Sequence, residues 1–471
     1  MSSKIIVDFV ADFFLVNILK TVSILFLVIV LFRVSAQEAW TLEDCIRHAY
    51  DNNIQLKQQQ LGVAQAENDL LQSKFNLLPN VSASGNFNSS KGKVLDQNTF
   101  QIVDGQTVNS LSAGIGSSVT LFKGLQQKNT IDRNLYSLFA SIQNVEKLKN
   151  DITISIALYY LQIIHAQEQL SVAENQLYLT RLQVERTAIF VEAGSVPEGD
   201  LFEIQSQAAR EELQVVTALN MLEMSRLNLA QLLDMESHAN FQIVVPDFSN
   251  IVISESLTSV DDVFTFAESV LPQVKAAEYN LKSAEKQLSI VKGNRSPTLT
   301  LQGGYNTRYS SSAKMPNPDY PGETIDYQLL DQLKDGIVSY IGIGLNIPIF
   351  NGWQVQTGIK NAKLNRENHK YLLELTKNSL YKEIQQAHVD AVAALNRYLA
   401  AAKAVESMQE AFRYTEQRYE LGLMNFVEYT TVKTRLTGAQ SDMLQAKFEY
   451  IFKVNVLDFY NGKPISLTKL R

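Results

Sequence analysis

Cysteine is almost absent. Cys45 is the single thiol in 471 residues, which excludes an intramolecular disulfide and a thiolate metal cluster. Proline and glycine are scarce, at 10 and 21, so the chain is neither collagen-like nor low-complexity. Basic blocks are missing and the formal charge is −7, a balance that argues against a nucleic-acid partner. The histidines His48, His165, His238, His369 and His388 show no metal-ligand spacing, and His388 and Asp390 face different sides of a helix. Gly-Ile-Gly-Ser-Ser-Val at 114–119 lacks the rest of a dinucleotide fingerprint. No catalytic residue, cofactor or metal is expected, and the chain does not read as an enzyme.

Long apolar runs are missing as well, with one exception at the N-terminus. Lys20 precedes an apolar stretch from Val22 to Phe32, and Val34-Ser35-Ala36 offers small residues to a signal peptidase. A signal peptide over 1–36 is expected, with Gln37 opening the mature chain. Asp8 and Asp12 do not suit a positively charged leader, which raises a misassigned start. The competing reading, a membrane anchor, needs about 20 apolar residues, and this run is shorter. No later segment is long and apolar enough for a spanning helix.

What is present is a duplication. Residues 41–87 align without a gap on 259–305, matching Ala49 with Ala267, Pro79 with Pro297 and Gly85 with Gly303. Further on, Gly114, Gly116, Phe122, Gly124 and Gly194 fall on Gly342, Gly344, Phe350, Gly352 and Gly422, so a ten-residue difference is absorbed in one loop. The repeats are drawn at 37–250 and 251–471. Each opens with a short amphipathic helix, Leu42, Cys45, Ile46 and Ala49 being answered by Val260, Val263, Phe264 and Ala267. A longer helix follows to about Phe75 and about Lys292, before Pro79 and Pro297, since a residue preceding proline is held extended.

Next in each repeat come period-2 strands, in hairpins at about 80–122 and 298–350, with apolar residues on one face and polar or small ones on the other. Pro348 suits a strand end because it cannot donate a ladder hydrogen bond. Asn351-Gly352 and Lys123-Gly124 then allow a sharp turn into a helix. About 65 to 70 residues of heptad-like spacing follow in each repeat, Ile152 to Val184 and Leu380 to Tyr419 among them, for roughly 90 to 100 Å of coiled helix. The chain turns near Gly194 and Gly422 and returns in helices to 233 and about 460. Four strands of this kind fit a half-buried sheet, or part of a transmembrane barrel with its apolar face outward. A barrel needs about eight strands at least, so the second reading requires oligomerisation.

The opening Thr-Leu-Glu-Asp-Cys-Ile-Arg-His-Ala-Tyr-Asp-Asn-Asn, the prolines Pro79 and Pro297, the junctions Val-Thr-Leu-Phe-Lys-Gly and Ile-Pro-Ile-Phe-Asn-Gly, the tip glycines and the duplication together carry a resemblance to the TolC-type outer-membrane efflux proteins. It covers essentially everything after residue 37. The resemblance implies a mainly α fold with membrane β: two tandem repeats, a homotrimer with a twelve-stranded barrel in outer-membrane lipid, and an α-helical tunnel in the periplasm. Its implied partners are a periplasmic adaptor and an inner-membrane transporter, and its implied work is passive conduction as the exit duct of an efflux pump or type I secretion system. By the same resemblance Asp200 and Glu428, six residues past Gly194 and Gly422, form an acidic gate with Glu203; such crowding raises carboxylate pKa values and favours cations. An acid in a first helical turn also suits the dipole. Thr431 and Met424 depart from the family's pattern, which has an acid and a base there. Gly194, Val196, Pro197, Gly422, Leu423, Met424 and Phe426 form the expected adaptor surface, with packing inside the trimer as the other reading of their apolar members. Pro79, Pro297, Gly124, Pro348 and Gly352 mark the strand–helix transitions. A secreted coiled-coil scaffold without a pore is the alternative, though it leaves the glycine-rich strands without a role.

Overall fold

The computed structural model describes residues 39–95, 100, 102–235, 241–246 and 258–465. The expected signal peptide lies outside them. Thr41 caps the first helix, α1 (Leu42–Asn52), by accepting from the Asp44 amide at 3.1 Å, while the Asp44 carboxylate accepts from the Thr41 amide. That capping box satisfies two of the helix's orphan donors. Asn53 then caps α2 (Ile54–Phe75). The matching pair in the second repeat is α5 (Val260–Val270) and α6 (Pro272–Gly293), where Pro272 supplies a preset first turn in place of a side-chain cap.

The strands β1 (Asn80–Leu95), β2 (Ile102–Lys123), β3 (Thr298–Ser310) and β6 (Val338–Asn346) make one antiparallel sheet in the order β1-β2-β3-β6. Both repeats therefore share one sheet through the β2–β3 pairing. The single connection between β3 and β6, which absorbs the ten-residue difference, carries structure of its own: a small hairpin, β4 (Lys314–Pro316) with β5 (Thr324–Asp326), followed by α7 (Leu329–Asp335). There is a physical reason for this cap. β6 pairs with β3 only as far as Asn306, and beyond it the Gln332 side chain accepts from the Ser310 amide at 2.9 Å and donates to the Ser310 carbonyl at 3.0 Å. One buried amide thus replaces a missing strand partner at an edge that would otherwise stay open.

The second-repeat hairpin is also shorter at its far end than its alternation suggests. β6 stops at Asn346, so Ile347, Pro348 and Ile349 lie outside it. At both junctions two successive residues turn left-handed: Gly124 and Leu125 at φ 57° each, Gly352 and Trp353 at φ 60° and 68°. The chain then enters α3 (Gln126–Glu192) and α8 (Gln354–Glu420), of 67 residues each, or about 100 Å at 1.5 Å per residue.

Both long helices end in the same way. The Ser195 amide donates to Phe190 O and the Gly194 amide to Val191 O, and Leu423 and Gly422 repeat this on Arg418 O and Tyr419 O. With both glycines at φ 68°, these are Schellman ends, which glycine permits without a Cβ penalty. The return helices are α4 (Glu198–Leu232) and α9 (Phe426–Tyr460). The main core sits mid-length, where Ile152, Ile156, Tyr160 and Ile163 of α3 meet Cys45, Leu229 and Ile451. Its second-repeat counterpart gathers Val263, Ala267, Leu380, Ile384 and Ala391.

Candidate functional site

Strand alternation sorts the sheet into two faces. Across it, Phe87, Leu111 and Tyr309 lie in one row, Ala83, Ile115 and Tyr305 in another, and Val119, Leu301 and Ile343 in a third. Residues directly opposite share a face, so these rows make one continuous apolar surface. It is uncovered: Phe87 is 64% exposed, Ile343 69% and Ile341 82%. The other face carries Ser82, Ser84 and Asn86 against Gly116, Gly114 and Ser112. The outer edges of β1 and β6 have no strand partner among the described residues.

At the other end of the molecule, the turns at Gly194 and Gly422 present the residues singled out by resemblance. Asp200 and Glu428 occupy the same place, the third residue of α4 and of α9. Asp200 is half-buried and its charge reaches the Tyr419 phenol, whose pKa rises chiefly through burial and then through that carboxylate. Glu428 is exposed and closes a cap: Asn425 Oδ1 accepts from its amide at 2.8 Å, and its carboxylate takes the Asn425 side-chain amide at 3.1 Å. Glu203 is exposed. The structure thus gives Glu428 a structural task and places Asp200 beside an aromatic cluster.

Of the expected docking residues, Leu423 and Pro197 are exposed, but Val196 is half-buried. Met424 packs on the cluster of Ile204, Tyr429, Phe412 and Tyr419. That cluster, with Tyr419 stacked on Tyr429 at 4.6 Å, takes up the apolar face of Met424, which is why it does not stand free. The side chain of Phe426 lies outside the described part of the structure.

Sequence reasoning missed a buried polar cluster a few helical turns above the tip. Lys433 of α9 is only 6% exposed and its Nζ donates to Thr180 Oγ1 of α3 at 2.8 Å. Burial lowers its pKa, opposed by the charges of Glu211 and Glu416. Glu211 of α4, 3% exposed, accepts from Gln207 at 2.8 Å and from Gln176 at 3.4 Å, while its Oε2 has no partner among the described residues. Tyr429, one turn before Lys433, is pushed up to about 12 by burial and then by Glu416. A groove of about 630 Å³ runs past Lys433, Tyr429, Phe412 and Gln176. The signal was there to find: Lys433 falls at helical spacing between Tyr429 and Leu436, and buried ammonium groups are costly unless compensated.

No helix among the described residues is long and apolar enough to cross a membrane. The model of the family described as outer membrane efflux protein matches residues 45–234 and 267–462. The chain belongs to that family. It is an outer-membrane efflux protein, and the family is one of channels, with no enzymatic activity. Among curated proteins it is similar to the outer membrane protein TolC of Vibrio cholerae, at 23% identity over 89% of this chain and 90% of that one. It is also similar to the outer membrane efflux protein BepC of Brucella suis, at 20% over 87% and 83%. The fold matches the open state of the Neisseria gonorrhoeae MtrE outer membrane channel with a TM-score of 0.73, at 18% identity and 91% coverage of both chains. The pore-less scaffold finds no support in these matches.

Proposed function

We propose that this efflux protein works as a homotrimeric exit duct, its three sheets joined into a twelve-stranded barrel and its helices into a periplasmic tunnel. The observation that carries the reading is the four-stranded sheet with an uncovered apolar face and two free edges. Unpaired backbone is not tolerated in lipid, so such a sheet must close on further copies. An even number of alternating strands suits this, because the last strand of one copy then runs antiparallel to the first strand of the next. Three copies is the number the resemblance implies. The repeats at 37–250 and 251–471, and removal of residues 1–36 on export, complete this reading.

Transport is passive and no bond is made or broken. The polar and glycine-rich sheet face lines the exit, and the tip is the closed end that a periplasmic adaptor and an inner-membrane transporter engage. Gly194, Pro197, Gly422 and Leu423 offer the exposed part of that docking surface, with Val196, Met424 and Phe426 beside it. Asp200, Glu203 and Glu428, three copies of each around one axis, form the acidic constriction. Single-channel conductance in planar bilayers, with and without Asp200→Ala and Glu428→Ala, tests both parts. Small cation-selective currents that lose selectivity in the variants support duct and gate. Currents indifferent to both substitutions keep the duct and remove the gate. A properly assembled sample that never conducts removes the duct.

A further inference from the structure

Beside the Lys433 groove lies a second cavity, of about 440 Å³, lined by α3, α4 and α9. Its lining bears a single charge, Glu211, and the rest is neutral, with Gln169, Gln214, Thr217, Thr434 and Ser441 among the polar members. Glu211 is 3% exposed; Gln207 and Gln176 both donate to its Oε1, and Oε2 has no partner among the described residues. The carboxylate is thus presented to the cavity with one oxygen held and the other free. Lys433 does not supply the missing partner, since it lines the neighbouring groove and its Nζ donates to Thr180. A buried carboxylate oxygen left without a donor is costly. We propose that the cavity is a binding site for an organic monocation with N–H donors, a protonated primary amine, whose ammonium group pairs with Glu211 Oε2. The site lies within one chain, eleven residues along α4 from Asp200, or about 16 Å at 1.5 Å per residue. It needs neither the ring nor the acidic constriction.

The chemistry of the lining selects the ligand. With no positive group on its wall, the cavity offers an anion nothing. A divalent metal is a poor match, because calcium takes about six to eight oxygen ligands, commonly several carboxylates among them, and no trio of His, Cys, Asp or Glu placed to hold a metal occurs among the described residues. One buried negative charge matches one positive charge. An ammonium group also brings three donors, and the glutamine carbonyls and the threonine and serine hydroxyls can accept those that Glu211 does not. Size points the same way. A water takes up about 30 Å³ of liquid, so a bare alkali ion would leave most of the space to solvent. Val172, Ala173, Leu213, Ala218 and Met221 add apolar wall, which suits the alkyl body behind an amine head.

Two features keep the cavity open and reachable. Gly438 lines it from the interior of α9, where glycine weakens a helix, and a Cβ built there meets nothing within 4 Å. The backbone at Gly438 is helical, so what this glycine contributes is space. Its counterpart in the first repeat is Arg210, and the bulk and charge found there are absent here. Gln176 lines both this cavity and the neighbouring groove, and its bond to Glu211, at 3.4 Å, is longer than the 2.8 Å bond from Gln207. A small swing of Gln176 opens the carboxylate to an incoming ammonium group while Gln207 still holds it in place.

Equilibrium dialysis of the purified full-length protein in detergent, against radiolabelled n-butylammonium at neutral pH, tests this. Asp200→Ala with Glu428→Ala serves as the background, so that the acids at the tip do not contribute. A single saturable site per chain is expected, and Glu211→Gln should weaken it at least about tenfold, the loss of one charge-assisted hydrogen bond. Gly438→Leu fills the cavity from a helix that gains propensity by the change and leaves the carboxylate untouched. It should weaken binding to a similar degree, and it decides the matter if circular dichroism shows that Glu211→Gln does not fold. Tetramethylammonium has the same charge and no N–H, and it should compete at least about tenfold more weakly than unlabelled butylammonium. Saturable binding that survives both Glu211→Gln and Gly438→Leu overturns the location. Competition by tetramethylammonium or potassium as strong as that by butylammonium overturns the ligand class. An absence of saturable binding overturns the site altogether. None of these outcomes bears on the conductance that tests the duct.

Discussion

Gly124 and Gly352 occupy equivalent junctions at nearly the same backbone angle, φ 57° and 60°, yet they should not tolerate alanine equally. For both, a Cβ in the left-handed region costs about 1–2 kcal/mol. At Gly124 the added atom also arrives 2.6 Å from Gly293 O and 2.6 Å from Ser296 Cβ, inside the seam between the repeats. Neither is the far end of a flexible side chain, so the junction must shift, and overpacking of this sort costs about 1–3 kcal/mol more. At Gly352 nothing lies within 4 Å. Gly124→Ala is therefore expected to destabilise the isolated chain by about 2–5 kcal/mol, and Gly352→Ala by only the backbone share. The gap of about 1–3 kcal/mol corresponds to roughly 5- to 150-fold in the unfolding equilibrium. Urea titration of detergent-solubilised monomer, followed by far-ultraviolet circular dichroism, reads both midpoints on one scale. Equal losses, or a larger one at Gly352, would refute the reasoning.

Three further outcomes follow from buried groups. His165 packs on Phe448 with its Nε2 unpartnered among the described residues, and burial lowers its pKa from 6.5. The unfolded chain then takes up a proton before the folded one does, so stability holds above about pH 6.5 and falls as pH drops below it; His165→Leu should flatten that part of a stability–pH curve. The Cys45 thiol, pushed up to about 12 by burial and the neighbouring Asp44, should resist maleimides in the native protein and react stoichiometrically once unfolded. The double variant Lys433→Met with Glu211→Gln should cost less than the sum of the two single changes, with a coupling of about 0.5–3 kcal/mol in a double-mutant cycle; a cycle that closes to zero would show that the two charges ignore each other.

Much of the architecture was legible because duplication states every element twice. Gly194 and Gly422, or Gly124 and Gly352, mark turns that one copy alone would leave ambiguous, and the helix ends near Phe75 and Gly293 were readable from the prolines beyond them. The insertion before β6 was not readable in the same way. It exists in one repeat only, and the use of Gln332 as a substitute strand partner depends on where β6 stops, a tertiary fact. The end of β6 itself was misjudged from Ile347 and Ile349 because alternation continues past the last internal partner. At the tip, spacing located Asp200 and Glu428 but could not separate an acid near an aromatic cluster from one closing a cap. That depends on Asn425, three residues before Glu428, whose side chain turns back on it.

The places where the repeats have stopped matching carry their own argument. Lys433 with Thr180, and Glu211 with Gln176, tie α3, α4 and α9 together inside the chain, whereas the equivalents of Thr180, Glu211 and Lys433 are Met408, Ala439 and Gln205. If the homotrimer proposed above holds, those residues lie where α8 of one copy meets α4 of the next. Sliding the internal seam would strand a buried ammonium and a buried carboxylate, and separating buried charges from their surroundings costs about 3–5 kcal/mol. Sliding the other seam disturbs a methionine, an alanine and one neutral amide, which lose dispersion contacts but leave no orphaned charge. Two seams that descend from one ancestral contact therefore differ in how readily they shear. In the proposed duct, displacement at the tip is then expected to be easier between copies than within one, so a partner acting there would meet least resistance at the seam between copies.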